Sequence, residues 1–294
     1  PDLQGVWHFN TTTPLQRPER LEDKALYTEE EHASLVARTA EFKPWDNQPP
    51  EGSVGSYNQF WWDLGGPVSD RRTSLIVDPA DGRLPALTPQ ATRQVGSVER
   101  HVAGTLPVRY RIGGLSADGP EERGLSARCL LGYNVGPPLL PGGYNNNVQL
   151  FQSADHVIIF AEMVHDARIV PLTPRPHLHE TVGLWNGDAR GHWDGDTLVV
   201  ESTNFTTKRA SFEPSATVAL GTGGTLRLVE RFTRLDANTL LYEYTVNDPT
   251  TFTAPFTVAI PMKRSVDSVF EYACHEGNYG MAIMLRAGRA ADGG

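Results

Sequence analysis

The second half of the chain alternates short β-type segments with tight turns, and this pattern limits the fold more than any other feature. Apolar and polar residues alternate along 225–235 and 239–247, as expected for strands with one buried face. Asp194-Gly195 is a typical hairpin turn signal. Strands are predicted at 147–152, 156–163, 197–203, 225–235, 239–247, 256–263 and 269–274. We therefore predict a mainly β fold, in which an antiparallel meander closes into a barrel or folds as a sandwich.

Two or three helices are expected at the periphery of this β structure. Thr28 and Glu31 form a capping-box pattern that predicts a helix over 28–42, and further helices are predicted over 88–102 and 277–290. In the first half, strands are expected near 5–7 and 74–77. We expect an N-terminal segment of strand, helices and long loops (1–124) to pack on an antiparallel β domain (125–294) as one structural unit.

One stretch, 113–141, is rich in glycine and proline. A long irregular stretch in a compact protein is expected to lie over a site or against a partner surface.

Charge and hydropathy exclude two classes of partner. The 294 residues include 26 Lys and Arg against 35 Asp and Glu, a formal net charge of −9, so nucleic acid is disfavoured. The longest apolar run, 157–161, is far too short to span a membrane, which predicts a soluble protein. The sequence begins at Pro1 rather than Met, which a removed export signal would explain, as would a trimmed or missing end.

Two cysteines, Cys129 and Cys274, leave two states open. If they pair, they close a long loop that stabilises the fold by about 4–5 kcal/mol in the chain-entropy model. If the protein is cytosolic, two buried thiols are the usual outcome.

Two resemblances bear on the fold and on export. Gly5-Val6-Trp7 resembles the Gly-x-Trp opening strand of lipocalins and other calycin barrels. The segments YNNNVQ (144–149), EMVHDAR (162–168), GHWDGDTLVV (191–200) and YACHEGNY (272–279) resemble a family of exported bacterial proteins. The resemblance implies a periplasmic or secreted protein, and it supplies no catalytic residues.

The first candidate catalytic group is Glu162 with His165 and Asp166, at the end of a strand that is apolar on both faces. A carboxylate placed there needs a polar partner or a raised pKa, and either environment suits acid–base catalysis. The structural alternative is an ion pair between Glu162 and Arg168.

A second candidate, His275 with Glu276, follows the last predicted strand, where side chains commonly line the mouth of a barrel. Its structural alternative is that both side chains satisfy backbone groups at the start of the closing helix. Candidate substrate-binding residues are Tyr144, Asn146, Trp61, Trp62 and Tyr279. The tryptophans suit stacking on a sugar or aromatic ring, although core packing also explains them.

A metal site is the third candidate. His177 and His179 form a His-x-His pair in an extended segment. His192, farther along the chain, is the candidate third ligand. The alternative is an ordinary exposed loop. No other cofactor is predicted, and nucleotide-dependent chemistry is disfavoured because no phosphate loop or dinucleotide fingerprint occurs. A serine hydrolase is disfavoured because no nucleophile elbow occurs.

These residues favour an exported enzyme that uses histidine and carboxylate acid–base chemistry, as a lyase or hydrolase, on a small organic molecule or sugar. A non-catalytic barrel that binds an apolar or aromatic ligand is the first alternative. A self-assembling structural protein, and hence a homo-oligomer, is the second.

Overall fold

A computed structural model describes residues 1–21, 23–41, 62–63, 65–91, 93–95, 119–215 and 218–291 of the chain. These residues are mostly β, with two α-helices. The strands are β1 Gly5–His8, β2 Ile76–Asp78, β3 Arg93–Val95, β4 Asn147–Gln152, β5 His156–Ala161, β6 Ala167–Pro171, β7 Asp188–Asp194, β8 Thr197–Thr203, β9 Phe212–Ser215, β10 Val218–Leu220, β11 Arg227–Arg234, β12 Thr239–Asn247 and β13 Phe256–Arg264. The helices are α1 Glu29–Glu41 and α2 Tyr279–Ala291.

Antiparallel pairing joins the main sheet in the order β6-β5-β4-β1-β13-β12-β11-β8-β7, and β2 also pairs with β13. The two terminal strands, β6 and β7, lie next to each other, so the sheet is nearly closed into a barrel. A smaller sheet contains β3, β10 and β9. The predicted fold class is confirmed. The opening strand β1 pairs with β4 and β13 within the barrel sheet, an arrangement compatible with a calycin-like fold.

The period-2 pattern places one face of each hairpin strand in the core. Leu240, Tyr242, Tyr244 and Val246 of β12 are all buried, and the same alternation runs along β11 and β13. The predicted strands 147–152, 197–203 and 239–247 match β4, β8 and β12 residue for residue. Strands β6, β7, β9 and β10 were not predicted.

The irregular segment 125–141 packs into the barrel. Its residues Val135 and Leu139 are buried in the main core, and the Leu139 N–H donates a hydrogen bond to the Tyr242 hydroxyl at 3.1 Å. The Arg209 guanidinium donates to the carbonyl of Pro137 at 2.8 Å and so holds this segment in place. The part of the barrel interior beside Tyr242 is therefore filled by the chain itself.

A buried ion pair crosses the interior. Arg168 of β6 donates to both carboxylate oxygens of Glu230 on β11, at 2.5 and 2.9 Å, and the Tyr242 hydroxyl donates to Glu230 at 2.7 Å. Burial acts to lower the pKa of Arg168, but the neighbouring Glu230 carboxylate outweighs it and holds that pKa above its ordinary value. The structural alternative for Glu162, an ion pair with Arg168, does not form, because Arg168 pairs with Glu230 instead.

Two further predictions are wrong. Residues 92 and 96–102 of the predicted helix 88–102 lie outside the described residues. The described part is not helical: 88–91 form a turn closed by the Ala91 N–H and the Thr88 carbonyl, and Arg93–Val95 is a strand that pairs with β10. Pairing with β10 overrides the local preference on which the helix prediction depended. The predicted strand 269–274 has no ladder, because β13, which precedes it, is already flanked by β1 and β12.

Both remaining helix predictions are confirmed. In α1 the Thr28 N–H donates to the Glu31 carboxylate at 2.8 Å, and the Glu31 N–H donates to the Thr28 hydroxyl at 3.2 Å, which is the reciprocal capping box. The closing helix α2 begins within two residues of the predicted position. Across the described residues, no helix has the length and apolar character needed to cross a membrane.

Candidate functional site

The chain between β13 and α2 forms an extended strap, defined here as residues 265–278. Several contacts tie it to the rest of the molecule, and three of them lie in its middle part. The Phe270 N–H donates to the Glu162 carboxylate at 3.3 Å, Nδ1 of His165 lies 2.9 Å from the Tyr272 carbonyl, and Cys274 is bonded to Cys129. The strap therefore crosses the turn that follows β5, where the first candidate group lies.

A cleft with a volume of about 780 Å³ lies beside the strap. This volume is within the range typical of small-molecule sites. Its described lining comes from four separate stretches of chain: Ser126, Ala127 and Cys129; Asn145; Glu162; and the strap with the start of α2, namely Phe270, Glu271, Tyr272, Ala273, Cys274, Asn278 and Met284.

Glu162 is the buried carboxylate of this cleft, with only 4 % of its surface exposed. The strand ends at Ala161, and Glu162 has helical backbone angles, so it leaves the alternation of β5. One carboxylate oxygen accepts a hydrogen bond from the Asn147 side-chain amide, and the other accepts from the Phe270 N–H. Both carboxylate oxygens are therefore held in place by donors from other parts of the chain.

The turn after Glu162 is strained. Val164 and His165 have φ values of 61° and 43°, in the left-handed region that β-branched residues rarely occupy. Such positions cost about 1–3 kcal/mol each, and they concentrate at functional sites. The turn exposes the His165 ring, whose Nδ1 donates to the carbonyl of Tyr272, a residue of the cleft lining. Nε2 is therefore the ring nitrogen that remains able to accept a proton.

The cysteines are paired. Cys129 and Cys274 are joined by a disulfide with a sequence separation of 145 residues, and both line the cleft. The bond fixes the irregular segment that contains Cys129 against the strap. The Asn278 amide reinforces this junction by donating to the Ala127 carbonyl at 3.2 Å.

The predicted catalytic residues other than Glu162, including His165, lie outside the cleft lining. The Asp166 carboxylate accepts a hydrogen bond at 2.7 Å from the Asn186 side chain. His275 and Glu276 are exposed in the turn after Cys274, so Glu162 is the one predicted catalytic residue among the described lining of the cleft.

The predicted substrate-binding residues differ in burial and in their contacts. Asn146 is fully buried, and its side-chain amide makes four hydrogen bonds to other parts of the protein. The Tyr144 ring packs edge-on against Tyr133 with centroids 5.3 Å apart. Trp62 is partly exposed and lies against Gly143, and Tyr279 is exposed at the start of α2. Trp61 lies outside the described residues.

The three candidate metal ligands have separate surroundings. Nδ1 of His177 is 3.0 Å from the carboxylate of Asp188, whereas Nδ1 of His179 is 3.0 Å from the Thr181 hydroxyl. His192 is exposed on β7. In the part of the chain that the structure describes, no group of three or more His, Cys, Asp or Glu side chains is placed to hold a metal ion.

Sequence reasoning missed the strap residues and the partner of Glu162. Phe270, Glu271 and Tyr272 were predicted to be part of a strand, although they line the cleft. Asn147 belongs to the Asn145-Asn146-Asn147 run, and the cross-strand register places Val148 opposite Ala161, next to Glu162. A correct register for 147–152 against 156–161 would have identified Asn147 as the neighbour of Glu162.

A scan against protein-family models and searches of curated proteins and of solved structures found no match to this chain.

Proposed function

We propose that this chain is an enzyme that performs acid–base chemistry on a small organic molecule in the cleft, with Glu162 as the general base. The observation that supports the proposal best is a buried carboxylate that lines a cleft of molecular size. A carboxylate at the wall of a cleft can reach a proton on a bound molecule, which is the geometric requirement for a general base.

In the proposed reaction, a lyase-type elimination, Glu162 takes a proton from a carbon of the substrate. The electron pair of that C–H bond forms a double bond as the leaving group departs. His165, protonated at Nε2, gives its proton to the leaving group, and solvent then resets both residues. A hydrolase would use the same pair, with water in place of the substrate C–H group as the source of the proton taken by Glu162.

The proposed location is the periplasm or the outside of the cell. The disulfide between Cys129 and Cys274 supports this proposal, because such bonds persist in oxidising compartments.

The experiment that tests the activity is a comparison of variants on a mixture of small metabolites. Purified wild-type protein, Glu162→Gln and Glu201→Gln are each incubated with the mixture, and mass spectrometry follows every compound. Glu201 is an exposed glutamate on β8 and serves as the matched control. We expect one compound or a related set to be converted by wild type and Glu201→Gln, at a rate at least about 100-fold lower in Glu162→Gln.

A binding protein without turnover is the second candidate, favoured by the contacts of Glu162 and His165 with the strap, which are also what two structural anchors would make. In that case wild type converts no compound but retains one through dialysis. Such a result would contradict the enzyme proposal.

A further inference from the structure

We infer that the cleft selects molecules that combine a positively charged amine with an apolar or aromatic body. This inference rests on the cleft of the proposed function and specifies the class of its substrate.

Charge is the first argument. Two carboxylates, Glu162 and Glu271, line the cleft. His165, the proposed proton donor, lies outside the lining, and none of the described lining residues is lysine, arginine or histidine. The formal net charge of the whole chain is −9. Anionic ligands therefore meet like charge both at the surface and in the cleft, whereas cations are attracted to both.

The aromatic rings of the strap are the second argument. Phe270 lines the cleft and is 72 % exposed, although a large apolar side chain on a surface usually gains by being covered. Tyr272 lines the same wall. Aromatic rings beside carboxylates are the combination that proteins use to bind ammonium groups, because the face of a ring attracts a cation.

The remaining wall of the cleft is apolar and favours an apolar body on the ligand. Ala127, Ala273, Met284 and the disulfide give an apolar surface that suits a hydrocarbon or aromatic body. Each oxygen of Glu162 accepts one hydrogen bond from the protein. A carboxylate has about four lone-pair positions, so it can also accept N–H donors from an ammonium group.

The test uses three small molecules of nearly equal shape: 2-phenylethylamine, 2-phenylethanol and phenylacetate. Isothermal titration calorimetry at neutral pH measures their affinities for the full chain. We expect the amine to bind at least about tenfold more tightly than the alcohol, and the alcohol more tightly than phenylacetate.

Variants separate the two arguments. Glu271→Gln should weaken binding of the amine about twofold to fivefold and leave the alcohol unchanged, as expected for an exposed charge. Phe270→Leu keeps most of the apolar surface but removes the ring, so it should weaken the amine more than the alcohol. Glu201→Gln, away from the cleft, should change neither.

Equal or tighter binding of phenylacetate would overturn the inference, and so would the absence of amine binding at the highest soluble concentration. The inference and the proposed function can fail separately. Conversion of an anionic or neutral compound that is lost in Glu162→Gln would keep the enzyme and remove the amine preference. Amine binding without any turnover would keep the amine preference and remove the enzyme.

Discussion

Asp248 is a buried carboxylate whose hydrogen bonds stabilise the fold. It follows β12 directly, and its carboxylate accepts hydrogen bonds from the hydroxyls of Ser211, Thr225, Thr250 and Thr251. Burial acts to raise the pKa of Asp248, but these hydroxyls outweigh burial and lower that pKa below its ordinary value. The ionised carboxylate therefore stabilises the fold.

The sign of the pH effect follows from this lowered pKa. The contribution of Asp248 is fully present above the pKa of an unfolded aspartate, about 3.9. It is lost as pH falls through the lower pKa of the folded state. We expect urea unfolding to show stability decreasing in this acidic window.

Asp248→Asn is the variant that isolates the effect. It should reduce the free energy of unfolding by about 1–3 kcal/mol at neutral pH, because buried hydroxyls lose their acceptor. It should also show a smaller loss of stability in acid than wild type does. An unchanged acid dependence in Asp248→Asn would contradict this assignment.

The sequence identified Glu162 as a candidate, but it did not predict the backbone conformation or the hydrogen-bond donors around it. Glu162 stands out in the sequence because a carboxylate follows an apolar run. Its helical backbone, the left-handed Val164 and the donors from Asn147 and Phe270 depend on distant segments that meet only in the folded chain.

The strap is the element on which the candidate site depends. It has no ladder of its own, and its position comes from Glu162, His165 and the disulfide. The sequence could not reveal this, because the apolar and aromatic residues of 269–274 are also typical of a strand. Pairing is decided by which sheet edges are free, and both edges of β13 are occupied.

Removal of the disulfide tests how the strap is held. Replacement of Cys129 and Cys274 by alanine should lower the free energy of unfolding by about 2–5 kcal/mol, because the unfolded chain regains the entropy of a long loop. Chemical denaturation measures this change. Hydrogen exchange should also become faster in 265–278 than in β12.

The control is wild-type protein under reducing conditions, which should behave like the double variant. Unchanged exchange across the strap in both samples would show that Glu162 and His165 hold it without the disulfide.

The buried pair of Arg168 and Glu230 belongs to the molecule as a whole, because it connects β6 with β11 across the barrel. Glu230→Gln leaves the Arg168 charge buried without its counter-charge. We expect a loss of about 3–5 kcal/mol in the free energy of unfolding, measured by chemical denaturation.

A double variant completes this test. Arg168→Met combined with Glu230→Gln should be less destabilised than the sum of the two single variants, because no unpaired charge remains. Strict additivity would mean that the two side chains do not interact across the barrel.

The barrel itself was predictable, because period-2 alternation and turn signals are local properties of the sequence. The residues that fill the barrel interior were not predictable. Glu230 occupies an inward position in an otherwise apolar row, and the segment 125–141 fills interior space beside Tyr242. The cleft combines residues from near 129, 145, 162 and 270–284, and no local pattern indicates that these stretches meet.

Turnover and thermal unfolding, measured on the same sample of Glu162→Gln, test the central claim most directly. If Glu162 is the general base, kcat/KM for the converted compound falls at least about 100-fold while the melting temperature stays within a few degrees of wild type. Turnover that persists, or that falls only in step with the folded fraction, would contradict the account and make Glu162 an anchor of the strap.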